Sequence, residues 1–322
     1  MHKQSFVAAA LACTVAVGVH GQTFPDRPVK VLLPFPAGTG PDTIMRMVGE
    51  RLARVWGQQV VIENRPGANG WLAMEAAKRA PADGYTLVQV DAPLIAVAPH
   101  LWKKLPYDPI KDVEPVATLY RTWYFVTVAA DSKWNTVGDL IQAAKAAPGG
   151  LSYGSSGVGG NIHLGGAMLE QAAGVKMTHI PYKETPQIYM AISNGDISWA
   201  VGTASTTQPM LKARKIKYLA ITAPQRSAIF PDVPTVAESQ GPAHYQLQTW
   251  VSMYAPRGTP QPIVNKINAD VGRVLQDPEL RTYMGSVGFE MLIQTPAELQ
   301  DMARKDSMVF KDILKDLKLA LD

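Results

Sequence analysis

Two stretches of this chain set glycines and hydroxyl side chains just before a helical pattern: Gly38-Thr39-Gly40-Pro41-Asp42, and Gly154-Ser155-Ser156-Gly157-Val158-Gly159-Gly160-Asn161. The chemistry open to such stretches is anion capture. The first turn of a helix has unpaired N–H groups and about half a positive charge. A carboxylate is held there without Lys or Arg. Glycine lets the backbone approach closely and accepts positive φ. Thr39, Ser155, Ser156 and Asn161 add side-chain donors. Either stretch could instead be an ordinary strand-to-helix turn in which Gly and Ser serve conformation alone. Two of them together suggest grips for the two ends of a small acid.

Other chemistries fit less well. Gly38-Thr39-Gly40 with Glu63 closing the next strand imitates a dinucleotide site, but Thr43 stands where the third glycine belongs. Gly154-Ser155-Ser156-Gly157-Val158 lacks the last glycine of the G-x-S-x-G hydrolase elbow. His163 could act as a base there, but it sits in a helical pattern with no obvious acid partner. His2, His20, His100, His163, His179 and His244 show no metal-ligand spacing. No catalytic residue, metal or cofactor is therefore expected. The tryptophans at 71, 102, 123, 134, 199 and 250 read as core before cage.

Elements must position these loops. Val29–Leu33 reads as a strand, followed by an amphipathic helix through Ile44, Met47, Val48, Arg51, Leu52 and Val55. Residues 59–63 and 85–90 are the next strands, with a helix at 71–80 between them. A second series follows residue 120. It has strands at 124–129, 151–153, 176–181, 197–201, 216–222 and 250–255, and helices at 137–146 and after Asn161. Two amphipathic helices, 262–276 and 296–318, end the chain. Strands alternating with helices predict α/β lobes with mostly parallel sheets. The two strand–glycine-loop–helix units suggest two lobes of similar plan with a ligand between them.

Composition bounds the rest. The 322 residues suffice for about two domains. With 26 Gly and 25 Pro the chain is loop-rich, and collagen, coiled coil and disorder are excluded. A single Cys excludes a disulfide scaffold and a Cys-cluster metal site. Net charge is only +4, too slight to imply nucleic acid without clustered Lys and Arg. Residues 1–21 have Lys3, an apolar run from Phe6 to Val19 and a closing Gly21, the pattern of a cleavable secretory signal. Ala10-Leu11-Ala12 before Cys13 fits a lipidation signal poorly.

One resemblance runs through the chain. It is carried by Phe24-Pro25-Asp26-Arg27-Pro28, Pro34-Phe35-Pro36-Ala37-Gly38 with Asp42, Glu63-Asn64-Arg65-Pro66-Gly67-Ala68 and Asp83-Gly84-Tyr85-Thr86-Leu87. Leu105-Pro106-Tyr107-Asp108-Pro109, Tyr153-Gly154-Ser155-Ser156-Gly157 with His163-Leu164, and Pro181-Tyr182-Lys183 continue it. Phe230-Pro231-Asp232-Val233-Pro234-Thr235 and Ala255-Pro256-Arg257-Gly258-Thr259-Pro260 complete it. The chain resembles the Bug (TctC-like) family, the periplasmic substrate-binding proteins of tripartite tricarboxylate transporters.

That resemblance implies a two-lobe periplasmic-binding-protein (Venus flytrap) fold. Domain 1 would be 22–123 plus 250–322 and domain 2 would be 124–249. It also implies a ligand site of Phe35, Ala37, Gly38, Thr39, Asp42, Asp91, Ser155, Ser156, Gly157, Gly159, Asn161, Tyr182, Lys183, Thr185, Gly202 and Thr203. The ligand would be a small organic acid: a di- or tricarboxylate, an acidic amino acid or an aromatic carboxylate. The protein would be a periplasmic monomer that delivers it to the transporter's membrane permease subunits. A sensing partner, an extracytoplasmic kinase domain, is the alternative, and a secreted esterase a further one. Thr39, Asp91, Glu184 and Gly202 depart from the family's usual residues, so the ligand stays open.

Overall fold

The computed structural model describes residues 24–321, so the expected signal segment lies outside the described residues. The chain runs β1 (Val29–Leu33), α1 (Gly40–Trp56), β2 (Val60–Asn64), α2 (Trp71–Lys78), β3 (Thr86–Asp91), a π-helical turn (Pro93–Val97), α3 (Ala98–Leu101) and β4 (Val113–Ala129). It continues with α4 (Val137–Ala146), β5 (Ser152–Ser155), α5 (Asn161–Ala173), β6 (Thr178–Pro181), α6 (Thr185–Asn194), β7 (Ala200–Thr203), α7 (Ala204–Lys212) and β8 (Ile216–Ile221). The last elements are β9 (Gln248–Pro256), α8 (Gln261–Leu275), α9 (Pro278–Ser286), β10 (Phe289–Met291) and α10 (Pro296–Asp316).

The strands gather into two sheets joined through β4. Its first half lies in the order β10-β4-β9-β3-β1-β2, and its second half pairs with β7 and β8. At the crossing, Trp123 pairs with Gln248, while the N–H of Leu247 bonds to Thr222 on the other side. Two apolar cores flank that crossing. One is built from residues between Tyr124 and Leu247, around Trp199, Tyr189 and Val126. The other packs β1, β3, β4 and β9 against α1 and α8, around Leu33, Ile44, Met253 and Ile267. A smaller cluster joins the lobes: Leu164 of α5 meets Ala96, Val97 and Leu101, with Phe310 and Leu314 of α10.

The expectation of mostly parallel sheets needs correction. β1 is parallel to β2 and β3, and β5 to β6, as their intervening helices require. β9 runs antiparallel to β3 and β4, and β4 antiparallel to β7, β8 and β10. The sheet of β1, β2, β3, β9 and β10 is mixed and that of β4 with β7 and β8 antiparallel, because the long strands that cross between lobes return without a helical crossover; β5 and β6 form a separate parallel pair. The first half of β4 was not expected. Register shifts at 115–117 and 118–120 break its alternation, so no period of two is visible there. α6, α7, α9 and β10 were also unassigned from sequence. α7 is mostly polar and carries Pro209 in its interior.

Two local devices fix where the glycine loops point. α5 seats on its sheet through Gly165 and Gly166. A Cβ on Gly166 would stand 2.1 Å from the Tyr153 ring, and one on Gly165 2.5 Å from Leu247. In the other lobe, Asp42 is buried beneath the loop after β1. Its carboxylate accepts from the N–H of Gly38 at 2.8 Å, from Arg46 at 3.1 Å and from Asn64 at 2.8 Å. The Asn64 amide also bonds to the carbonyl of Phe35 at 3.0 Å, so the end of β2 pins both ends of the loop. Gly38 holds φ +80°, which a side chain there would strain.

Gly166→Ala should lower stability by about 1–3 kcal/mol from overpacking, outweighing the ~1 kcal/mol that Ala gains in a helix. Urea unfolding checks the sign. Burial alone would raise the Asp42 pKa, but the bonds from Arg46, Asn64 and Gly38 win and hold it below the ordinary value. Its stabilisation is thus complete above ~pH 4 and lost as pH falls through that lowered value. Asp42→Asn should cost on the order of 2 kcal/mol at pH 7, and the deficit should shrink below ~pH 4. Melting across pH 2–7 measures it.

Candidate functional site

A cavity of about 490 Å³ lies between the lobes at the carboxyl ends of β1 and β3. Open α/β sheets place ligands at such ends. Three helices begin at its wall. Thr39, Gly160 and Thr203, the N-cap residues of α1, α5 and α7, all line it, and none caps its helix with its own side chain. The Thr39 hydroxyl donates to the Pro36 carbonyl at 2.8 Å, and the Thr203 hydroxyl pairs with Thr206 at 3.0 Å. The first-turn N–H groups of these helices therefore remain available to a ligand. α6 also begins here, but Glu184 and Gln187 form a capping box of their own. Among the described residues the lining holds no Lys, Arg or His, and its carboxylates are Asp91 and Glu184.

The floor is one row across three strands. Asp91 of β3 pairs with Val251 of β9, which pairs with Tyr120 of β4, and all three line the cavity. Phe289 of β10 stacks on Tyr120 at 4.2 Å between ring centres. The Leu94 N–H in the π-helical turn favours the charged form of the Asp91 carboxyl. Burial raises that carboxyl to about 6. The Tyr120 hydroxyl, Thr249 Oγ1, Trp71 Nε1 and Asn161 Oδ1 are buried atoms of lining residues with no hydrogen-bond partner among the described residues. Such atoms are costly unless a ligand or water meets them.

Of the residues expected from sequence, Phe35, Thr39, Asp91, Ser156, Gly159, Asn161, Thr185 and Thr203 line this cavity. Ala37, Gly38, Asp42, Ser155, Gly157, Tyr182, Lys183 and Gly202 do not. Asp42 instead holds Gly38. Ser155 is fully buried, and its hydroxyl is shared between His179 Nε2 at 2.6 Å, the Gly157 carbonyl at 2.9 Å and the Gly157 N–H at 3.2 Å. His163 accepts the Gly159 N–H at 3.0 Å through Nδ1, and its ring lies tilted against His179 with ring centres 4.1 Å apart. Burial, with His179 beside it, lowers His163 to about 4, so both roles of this histidine are structural. Gly202 leaves room for Tyr189, whose hydroxyl would stand 2.3 Å from a Cβ there.

Sequence reasoning missed the aromatic wall. Trp71 and Trp102, read as core, line the cavity edge-to-face with ring centres 5.0 Å apart. Tyr120, Tyr124, Leu101, Thr249 and Phe289 also line it. No short motif marks them; they come from four separated segments. Leu101 of α3 reaches across the cleft so closely that a Cβ on Gly159 would stand 1.9 Å from it.

The likeness to known proteins matches this geometry. The family model described as "Tripartite tricarboxylate transporter family receptor" matches residues 44–319. A solved structure of Rhodopseudomonas palustris Rpa4515 with adipate superposes with TM-score 0.85 at 29% identity, covering 92% of this chain and 99% of that one. The periplasmic binding protein BugD gives 0.81 at 29% identity, over 92% and 99%. MatC from Rhodopseudomonas palustris with bound malate gives 0.80 at 29% identity, over 90% and 100%. The chain belongs to the tripartite tricarboxylate transporter receptor family, a family of solute-binding proteins.

Proposed function

We propose that this protein captures a small organic acid in the interlobe cavity, holds it by helix N-termini, and presents the closed form to the membrane subunits of a tripartite transporter. The observation that carries the reading is the convergence of three uncapped helix starts, from both lobes, on one cavity without a basic side chain. Adipate and malate, in the titles of two similar structures, are carboxylates and support the ligand class. The secretory pattern of residues 1–21 and the likeness to a periplasmic binding protein support the periplasm as its place.

Closure follows from the division of donors. α1 belongs to the β1–β3 lobe; α5 and α7 belong to the other. Only the closed arrangement lets one ligand meet both sets, so binding shifts the open–closed equilibrium by the difference in affinity. No chemistry is asked of the site. Ser155 resembles a nucleophile beside His179, but it is fully buried and committed to Gly157.

Gly160→Asp tests the grip. Gly160 has φ −73°, and a Cβ there would meet only the Gly157 carbonyl oxygen, at an ordinary contact distance of 4.0 Å. An aspartate would cap α5 and stabilise the protein by roughly a few tenths of a kcal/mol, because glycine is itself a fair N-cap residue. It would also put a fixed carboxylate where the ligand's must sit. The expected result is a higher melting temperature together with at least tenfold weaker binding of an acid that the unaltered protein binds by calorimetry. Unchanged affinity would contradict the reading.

A further inference from the structure

The cavity's lining is poorly matched to a ligand with a carboxylate at each end. Among the described residues no cation lines it, and Asp91, mostly buried, stands in its floor. A second ligand carboxylate laid over the Asp91–Val251–Tyr120 row would face a like charge in a water-poor setting, where such repulsion is strongest. Most of the lining around that row is carbon, from Trp71, Trp102, Leu94, Val97 and Phe289, with the unpartnered Tyr120 hydroxyl, Thr249 Oγ1 and Trp71 Nε1 set among it. Each methylene of a ligand buried there is worth roughly fourfold in affinity.

We infer that the ligand is a monocarboxylic acid with an apolar, aromatic-sized body and a hydroxyl or amino group that donates to Asp91. This rests on the carboxylate-binding reading above and narrows it: helix ends hold one carboxylate, the aromatic wall holds the body, and Asp91 rejects a second carboxylate. Asp91 is therefore a specificity residue.

The titratable groups that feel Asp91 are Tyr107, Tyr120 and Tyr124, all raised by burial and so neutral across the working range. From β9 it meets Val251, while Trp250 points to the opposite face and bonds Asp306 of α10. The His100 side chain of α3 is engaged with Ser307 of α10. Asp91 is thus the group whose ionisation, near pH 6, changes the charge of the floor.

The test is calorimetry on the full mature chain with 4-hydroxyphenylacetate, phenylalanine, phenylacetate, adipate and citrate at pH 7.5 and pH 5. Unaltered protein, Asp91→Asn and Asp91→Thr are compared, Asn keeping the bond to Leu94. In the unaltered protein at pH 7.5, at least one donor-bearing aromatic acid should bind tenfold or more tighter than phenylacetate and tighter than adipate or citrate. The hydroxyl and amino arms tell the two donors apart. Lowering the pH to 5 protonates Asp91, so that preference should shrink while adipate gains. Asp91→Asn should abolish the preference and raise adipate affinity at least tenfold at pH 7.5; if it fails to fold, Asp91→Thr carries the same expectation. Adipate or citrate binding best to the unaltered protein, or a ranking unmoved by both substitutions, overturns the inference and leaves carboxylate capture standing. Silence toward every acid in all three proteins overturns both.

Discussion

The structure turns on three helix starts aimed at one cavity whose described lining holds no basic side chain. Helix starts carry their half-charges as fixed N–H groups, so they need no flexible cation and no counter-ion. A lysine in the same place would bring its own hydration and rotamer freedom, both lost on binding. The cost is geometric. Each helix must be aimed and left uncapped at one spot, and most of the conspicuous packing serves that end. Asp42 and Asn64 lock the loop ahead of α1. Gly165 and Gly166 let α5 settle on Tyr153 and Leu247. Thr207 Oγ1 donates to the Thr203 carbonyl at 2.8 Å and steadies the start of α7.

The two lobes share that task through β4 and β9. Because β4 threads both sheets, a change in the crossing at Trp123 and Gln248 re-aims α5 and α7 relative to α1. Contacts between Leu101 and Gly159, and around Leu164 with Phe310 and Leu314, hold the lobes together across the cleft. These apolar contacts are independent of the ligand's charge. They set how far the free protein already favours the closed arrangement, and so how much of the ligand's affinity is spent on closing it.

Much of this was legible in the chain itself. The glycine loops announced themselves because a strand, two or three glycines and a helical period fall within a short window. Asp91 was visible as an acid at a strand end. What stayed hidden depends on facing and on distant partners. Ser155 and Ser156 are neighbours with opposite fates: Ser155 ends β5 facing inward to His179, twenty-four positions away, and Ser156 faces the cavity. Lys183 is adjacent in sequence to lining residues but points away from the cavity lining. Trp71, Trp102 and Tyr120 looked like core because a binding wall made of aromatics has the same composition as a core. The register shifts in β4 removed the alternation that would have assigned Tyr120 and Thr122 to one face.

Backbone amide spectra test the central claim most directly. With nitrogen-15 labelled protein saturated by an organic acid that calorimetry shows to bind, the amide protons of Gly40, Asn161, Ile162, Ala204 and Ser205 should move downfield together, as N–H groups do when they donate to a carboxylate. Movement should appear in both lobes at the same ligand concentration. If the acid binds and those amides stay in place, or shift in one lobe alone, the charge is held by something other than opposed helix ends and the account fails.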